Sequence, residues 1–85
     1  MPTENSTSDK FTPRQGQYLA FIFLYTKLNR RAPAEADMQS YFQVSPPSVH
    51  QMVLTLDSLG LISRTPRVAR SIRCLIPPTE LPDLD

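Results

Sequence analysis

The sequence predicts an α+β fold in which three helices precede a two-stranded β-hairpin, the arrangement called a winged helix-turn-helix. Three observations favour this fold. Apolar residues recur at helical spacing over residues 13–28 and 45–59, and a shorter helical pattern lies between them. The residues after Gly60 alternate between inward apolar and outward positions, as in strands. With 85 residues, the chain suffices for one small domain with a modest core.

The first helix is predicted over residues 13–28. Thr12 is a suitable N-cap, Pro13 suits the first helical position, and Phe11 can pack against the first turn. An extended strand over residues 18–25 is the alternative, but the cap and the length of the periodic segment favour a helix. The predicted core stripe of this helix consists of Tyr18, Phe21, Ile22, Tyr25 and Leu28.

The second and third helices are predicted to be separated by the tight turn Gln43-Val44. Residues 34–42 form the second helix, with Met38, Tyr41 and Phe42 as its apolar edge. Ser45 caps the third helix, Pro46 begins it, and Gly60 ends it. The predicted core stripe of the third helix consists of Val49, Met52, Val53, Leu56 and Leu59. In a helix-turn-helix, this third helix is the one that enters the major groove.

The predicted wing is a hairpin of strands 61–64 and 70–76 joined by a turn at 65–69. In its second strand, Ile72, Cys74 and Ile76 share one face, and Arg73 and Leu75 share the other. Cys74 is the single cysteine, which excludes an internal disulfide and a cysteine-based zinc cluster. We expect it to be a small buried residue of the strand.

The charge distribution favours a nucleic-acid partner although the net charge is only +1. All nine Lys and Arg residues lie within residues 10–73, together with three acidic residues, so this segment carries +6. The sequence therefore predicts a winged-helix domain over 11–76 between two acidic tails. Residues 1–10 are expected to be a polar, disordered tail, and the Pro-rich residues 77–85 to be extended or loose.

Several function classes are excluded by what the sequence lacks. No apolar run is long enough to span a membrane, and the N-terminus does not have the pattern of a signal peptide, so a cytoplasmic location is expected. Paired carboxylates and a nucleophile with a base are absent, and His50 has no second metal ligand. We therefore predict that the chain is not an enzyme and needs no metal, cofactor or small-molecule substrate.

The candidate functional residues lie on the third helix and in the wing. Outside the core stripe, the start of the helix presents Pro47, Ser48, His50, Gln51, Leu54 and Thr55. Ser, His and Gln can donate and accept hydrogen bonds at base edges, and the helix N-terminus at Ser45 can bind a phosphate. The wing carries Arg64, Arg67, Arg70 and Arg73, of which Arg67 and Arg70 in the turn are the preferred backbone contacts of double-stranded DNA. The alternative is a merely solvated β-ribbon.

Two segments resemble the DNA-binding domain of the LexA repressor family. Phe11-Thr12-Pro13-Arg14-Gln15, followed by Tyr18-Leu19 and Phe21-Ile22, resembles the opening of that domain. Residues 44–50 with Leu56 and 59–62 resemble its recognition helix and the entry to its wing, and are equally similar to the helix-turn-helix of the DtxR-type metal-dependent repressors. The resemblance covers about residues 11–76. It implies a transcriptional regulator whose base contacts fall on Ser45, Pro47, Ser48, His50 and Gln51.

The resemblance has limits. The autoproteolytic half of LexA, with its cleavage site and Ser-Lys pair, has no counterpart in this sequence, nor do the metal ligands and dimerisation domain of the metal-dependent repressors. Phe23 and Leu24 lie outside the core stripe, where LexA-like sequences often carry charged residues, and predict a partner surface such as a homodimer contact. The alternative is that the C-terminal tail covers them. A winged-helix protein-interaction module that does not bind DNA therefore remains the second functional hypothesis.

Overall fold

The computed structural model describes residues 10–85, so the predicted N-terminal tail lies, apart from Lys10, outside the described residues. Three helices, α1 (Pro13–Asn29), α2 (Glu35–Phe42) and α3 (Pro46–Ser58), precede the strands β1 (Ile62–Ser63) and β2 (Arg73–Cys74). The strands pair antiparallel, which confirms the predicted winged helix of the α+β class. None of the helices within the described range has the length and apolar character needed to cross a bilayer.

The start of α1 is stabilised by a complete capping box. Thr12 Oγ1 accepts a hydrogen bond from the Gln15 N–H at 3.1 Å, and Gln15 Oε1 accepts one from the Thr12 N–H at 2.9 Å. Phe11 is buried against this first turn, where Gly16 leaves room for it: a Cβ atom on Gly16 would lie only 3.0 Å from the Phe11 ring. The last helical residue is Asn29, and the C-cap residue that follows it, Arg30, adopts the left-handed conformation. The predicted start agrees with the structure, and the helix is one residue longer than predicted.

The N-termini of α2 and α3 are capped in different ways. Ala34, the N-cap residue of α2, has no side-chain acceptor, but its N–H donates to Asp37 Oδ2 at 2.7 Å. Ser45 Oγ accepts from the Ser48 N–H at 3.3 Å and so caps α3 as predicted. Both helices therefore begin where a carboxylate or hydroxyl satisfies a free backbone N–H.

The C-terminus of α3 is a Schellman motif. The Leu61 N–H donates to the Leu56 carbonyl, and the Gly60 N–H donates to the Asp57 carbonyl, each at 3.0 Å. Gly60 has φ 76°, which favours glycine. This turn reverses the chain and leads directly into β1.

The core lies where the three helices meet the hairpin. Its most deeply buried large side chains are Tyr18, Leu19, Ile22, Met38, Val49, Val53, Leu56 and Ile62. The Tyr18 ring stacks on the Phe42 ring with 4.2 Å between centroids, which joins α1 to α2. The inward stripe of α3 is the surface that holds this helix on the domain.

Two residues of the predicted core stripes are exposed, and Tyr41 on the predicted apolar edge of α2 is 43% exposed as well. Leu28 is 77% exposed because the last turn of α1, together with Lys27 and Asn29, extends beyond the elements that it packs against. Leu59 is 53% exposed because it is the C-cap residue of α3, where the helix has already ended. The prediction was wrong at both positions because periodicity does not show where a packing partner ends.

The wing has much shorter strands than predicted. Only Ile62↔Cys74 and Ser63↔Arg73 pair, with one further hydrogen bond from the Leu75 N–H to the Leu61 carbonyl. The predicted strand over 70–76 begins late because Arg70 has φ 55°, which interrupts the extended backbone.

The predicted alternation of β2 is present in the structure. Ile72 is buried, whereas Arg73 and Leu75 are exposed. Cys74 is only half-buried, not fully buried as expected, and its partial burial raises the pKa of the thiol.

The C-terminal tail packs on the domain and is not loose. It forms a short 3₁₀ turn at Pro78–Glu80, and its two leucines, Leu81 and Leu84, pack against the core. The Gln17 side chain donates to the Asp83 carbonyl at 2.8 Å and accepts from the Asp85 N–H at 2.9 Å. The tail follows α1 because this amide bonds to it twice.

Candidate nucleic-acid interface

The predicted base-contacting residues all lie exposed on the first turns of α3. Ser45, Pro47, Ser48, His50 and Gln51 are exposed, whereas Val49 between them is completely buried. Burial of the core stripe therefore turns the polar side chains of the helix start towards solvent. A side chain that reads base edges requires such exposure.

The outward face of α3 is divided between two depressions. Pro47, Ser48 and Gln51 line a shallow groove of about 610 Å³ against Gln15 of α1, with Met52 and Thr55 at its base. His50 instead lines a cleft on the other side of the helix. The structure thus separates His50 from the other predicted base-contacting residues and adds Gln15, which the sequence analysis missed, to their surroundings.

His50 has an acidic neighbour that the sequence did not indicate. Its Nδ1 atom lies 3.2 Å from Glu35 Oε2 and 3.3 Å from Glu35 Oε1, at a partly exposed position. Because a carboxylate can only accept, a hydrogen bond here requires a proton on Nδ1. No motif marks two residues 15 positions apart, so only the docking of α2 against α3 brings them together.

The four wing arginines differ in their partners. The Nε atom of Arg64, whose side chain is 16% exposed, lies 3.3 Å from Asp57 Oδ2 and makes no well-directed hydrogen bond there. Arg70 pairs with Asp37 at 3.1 Å. Arg67 and Arg73 are exposed and form no ion pair within residues 10–85.

The partly exposed Arg70 side chain is held against the body of the domain. Its Nη1 atom donates to the Tyr25 hydroxyl at 3.3 Å, to the Ala32 carbonyl at 3.1 Å and to Asp37 Oδ2 at 3.1 Å. The pKa of Arg70 is raised, first by the hydrogen bond to Tyr25, against an opposing effect of desolvation, and further by the electrostatic interactions with Tyr25 and Asp37. Among the predicted backbone contacts, this side chain is therefore the one with the most partners within the domain.

Three of the four wing arginines, Arg64, Arg67 and Arg70, line the same cleft as His50. This cleft has a volume of about 460 Å³ and lies between the start of α2, α3 and the wing. Its charged and titratable lining residues are Glu35, His50, Arg64, Arg67 and Arg70. Three arginines of the wing thus line the same cleft as one residue of the recognition helix.

Arg73 lies in a separate groove on the far side of the hairpin. This groove, of about 280 Å³, is lined by Phe23, Thr26, Lys27, Arg73, Cys74 and Leu75. Phe23 and Leu24 are partly buried, whereas Leu75 is 54% exposed. The tail does not line this groove, because it runs along Gln17 and the end of α2.

The part of the chain that the structure describes contains no candidate metal centre. Within residues 10–85, no group of three or more His, Cys, Asp or Glu side chains is placed to hold a metal ion.

Comparison with known proteins finds similarity to LexA repressors. No protein-family model matches the chain. A stretch of 63 residues, 74% of the chain, is 36% identical to the LexA repressor of Thermosipho africanus (strain TCF52B) and covers 32% of that protein. A stretch of the same length is 35% identical to the LexA repressor of Thermosipho melanesiensis (strain DSM 12029 / CIP 104789 / BI429), again covering 32% of it. The chain spans about a third of the length of these curated relatives. The capped α1, the helix-turn-helix and the short wing therefore form a winged-helix domain that is similar to part of these LexA repressors.

Proposed function

We propose that this domain binds double-stranded DNA sequence-specifically and regulates transcription. The observation that carries the proposal is the exposed polar start of α3 beside a cleft lined by wing arginines. A helix-turn-helix places this part of its second helix against base edges, while basic residues of a wing bind the sugar-phosphate backbone. The similarity to proteins named LexA repressor supports the same function.

Gln51 and Ser48 are the proposed base-reading residues. Both are exposed in the groove beside Gln15, and a glutamine amide can donate to and accept from an adenine at once. Ser45 is proposed to contact a phosphate through its exposed hydroxyl, because Pro46 and Pro47 have no N–H and the Ser48 N–H already donates to Ser45 Oγ. Pro47 is proposed to make apolar contact with a base, and His50 is proposed to form a hydrogen bond to a base through Nε2.

Arg67 is the proposed backbone contact of the wing. It is exposed, carries no acidic partner within the described residues and lines the cleft beside α3. Arg64 lines the same cleft from a less exposed position, and Arg73 lies too far round the hairpin to join it. Salt should therefore weaken binding, since each phosphate contact releases counterions.

The proposal makes the protein a cytoplasmic regulator and not an enzyme. Its candidate residues form a binding face, and neither a nucleophile with a base nor a metal centre enters the mechanism. The work of the domain is to hold the duplex in register through backbone contacts while α3 discriminates between bases.

A protein-interaction module is the second candidate function, and one observation favours it. The groove beside Phe23 combines a partly buried aromatic ring with the exposed Leu75 on a face remote from the proposed DNA site. Apolar residues of this kind at a surface mark protein contacts.

The two functions are separated by duplex titration. A specific site is first selected from a random duplex library, and binding to it and to a scrambled duplex is then measured at several salt concentrations. DNA binding predicts affinity that falls as salt rises. Absence of salt-dependent binding to any duplex would reject the DNA-binding proposal in favour of the interaction module.

Gln51→Ala tests the base-reading role. It should reduce the preference for the selected site by about 1–3 kcal/mol and leave binding to the scrambled duplex nearly unchanged. Ser58→Ala is the matched control, because Ser58 is exposed at the opposite end of α3. Equal losses on both duplexes would refute base reading by Gln51.

A further inference from the structure

The wing is anchored in the core at its strands, through Ile62 and Ile72, but has little of its own to hold its loop in place. Its ladder joins two residues of each strand, and an isolated two-stranded hairpin is marginally stable. The loop between the strands is closed locally by Ser71, whose hydroxyl oxygen accepts from the Thr65 N–H at 2.9 Å. These contacts shape the loop but do not set its position relative to α3.

Arg70 supplies contacts that do. Its Nη1 atom meets Tyr25 on α1, Ala32 in the connector between α1 and α2, and Asp37 on α2. The two N–H groups of Nη1 are therefore shared among acceptors from three parts of the domain. This planar guanidinium therefore joins the loop of the wing to the body of the domain, in addition to the contact of Arg64 with Asp57 on α3.

Asp37, the acidic partner of Arg70, also accepts a second hydrogen bond. The same oxygen, Asp37 Oδ2, accepts from the Ala34 N–H at 2.7 Å and so begins α2. One carboxylate thus ties together the first helix of the helix-turn-helix and the wing. A shift of the wing away from α2 would break this shared contact.

The backbone of the loop agrees with an anchoring role for Arg70. Arg67 and Arg70 have φ angles of 66° and 55°, so both adopt the left-handed conformation. At Arg70 the side chain turns inward to its three acceptors, whereas Arg67, three residues earlier, remains exposed. Within one loop, one arginine is anchored and the other is presented to solvent.

We propose that Arg70 is a positioning residue that, through Asp37, fixes the wing relative to α3 so that Arg67 meets the DNA backbone. This inference rests on the proposed function and replaces Arg70 as a direct phosphate contact. Arg67 binds the phosphate, while Arg70 keeps its guanidinium on Asp37, Tyr25 and Ala32 in the complex.

Asp37→Ala distinguishes positioning from direct contact by the sign of its effect. If Arg70 were a phosphate contact, removal of Asp37 would free its charge and strengthen duplex binding. Positioning predicts the opposite, a loss of about tenfold, as for one charge-assisted hydrogen bond to DNA. Asp83→Ala is the charge-matched control, because it removes one carboxylate from the exposed tail, and its affinity should equal that of the wild type.

Tyr25→Phe provides a variant that keeps the cap of α2. It removes one acceptor of Arg70 and no charge, and it should weaken duplex binding less than Asp37→Ala does. Melting curves of both variants establish that they are folded. Unchanged or tighter binding by folded Asp37→Ala and Tyr25→Phe would overturn the inference.

The salt dependence of Arg67→Ala, Arg70→Ala and the double variant gives an independent readout. Loss of one phosphate contact lowers the salt slope by about one. Positioning predicts that each single variant and the double variant lose the same single contact. A slope that falls by about two in the double variant would show two direct contacts and reject positioning.

Amide hydrogen exchange of the wing separates this inference from the proposed function. In the free protein, residues 65–69 should exchange faster in Asp37→Ala than in the wild type, while α3 is unchanged. If the wild type binds no duplex, the proposed function fails, whatever the exchange shows. If the wild type binds duplex and the exchange of the wing is unaffected, the positioning role alone fails.

Discussion

At the scale of single residues, exposure separates side chains that the sequence pattern treats alike. Leu56 and Leu59 both fall on the apolar stripe of α3, but Leu56 is completely buried and Leu59 is 53% exposed. The difference arises because Leu56 faces the core from within the helix, whereas Leu59 follows its last helical residue. Leu56 exchanges water for close-packed neighbours over its whole surface on folding, whereas Leu59 does so over only about half.

A pair of alanine variants tests this difference. Leu56→Ala should reduce the free energy of unfolding by about 2–5 kcal/mol, because it removes a buried side chain and leaves a cavity. Leu59→Ala should cost less than about 1 kcal/mol, since its side chain is half in solvent before the change. Denaturant unfolding of both variants provides the measurement. Equal losses would mean that the C-terminus of α3 packs differently from the structure.

The thiol of Cys74 should be a slow nucleophile. Partial burial raises its pKa, so at a given pH the folded protein contains less thiolate than the unfolded chain does. Because the folded state holds this proton more tightly, the associated stability is present at low pH and is lost as pH rises through the raised pKa. Alkylation near pH 8.5, about the ordinary thiol pKa, should be slower in the native protein than in denaturant. Equal rates would contradict this environment.

At the scale of elements, the ends of the helices determine how they are joined. The capping box at Thr12, the serine cap at Ser45 and the Schellman motif at Gly60 each satisfy free backbone groups locally. Gly60 is the clearest case, because no atom within 4 Å would meet a Cβ there, while its φ is +76°. Its requirement is therefore conformational and not steric.

Gly60→Ala tests that requirement. The substitution should reduce the free energy of unfolding by about 1 kcal/mol, because alanine is strained in the left-handed region. Gly60→Asn should cost less, since asparagine tolerates this conformation better. Thermal unfolding monitored by circular dichroism would compare the two variants. A Gly60→Ala protein as stable as the wild type would contradict the left-handed turn.

At the scale of the whole molecule, the cleft lined by wing arginines and the proposed partner surface at Phe23 are separate. Arg64, Arg67 and Arg70 line the cleft beside α3, whereas Arg73 shares its groove with Phe23. The C-terminal tail, which was the alternative cover for Phe23, lies elsewhere on α1. The proposed homodimer contact at the Phe23 groove is therefore compatible with the proposed binding of a duplex by α3.

Self-association through this groove has a distinctive salt dependence. A two-fold contact would bring each Phe23 to the same patch on its mate, and would also bring together the basic side chains of Lys27 and Arg73. We therefore expect weak dimerisation that strengthens with salt and is lost in Phe23→Glu. Sedimentation equilibrium over a range of protein and salt concentrations would measure it. A monomer under all conditions would reject the homodimer.

The sequence by itself determined the order of elements, the starts of α1 and α3, the inward face of α3 and the exposed candidate residues at its start, and it placed the start of α2 one residue early. These depend on caps, on Pro and Gly, and on periodicity, which act between residues within about four positions of each other. Tertiary structure alone decided that Leu28 and Leu59 are exposed and that the tail follows Gln17. It also paired His50 with Glu35 and Arg70 with Asp37, 15 and 33 positions away. Such pairs form because whole elements dock on a shared core, and the partner of an exposed charge follows from that docking, not from neighbouring residues in the chain.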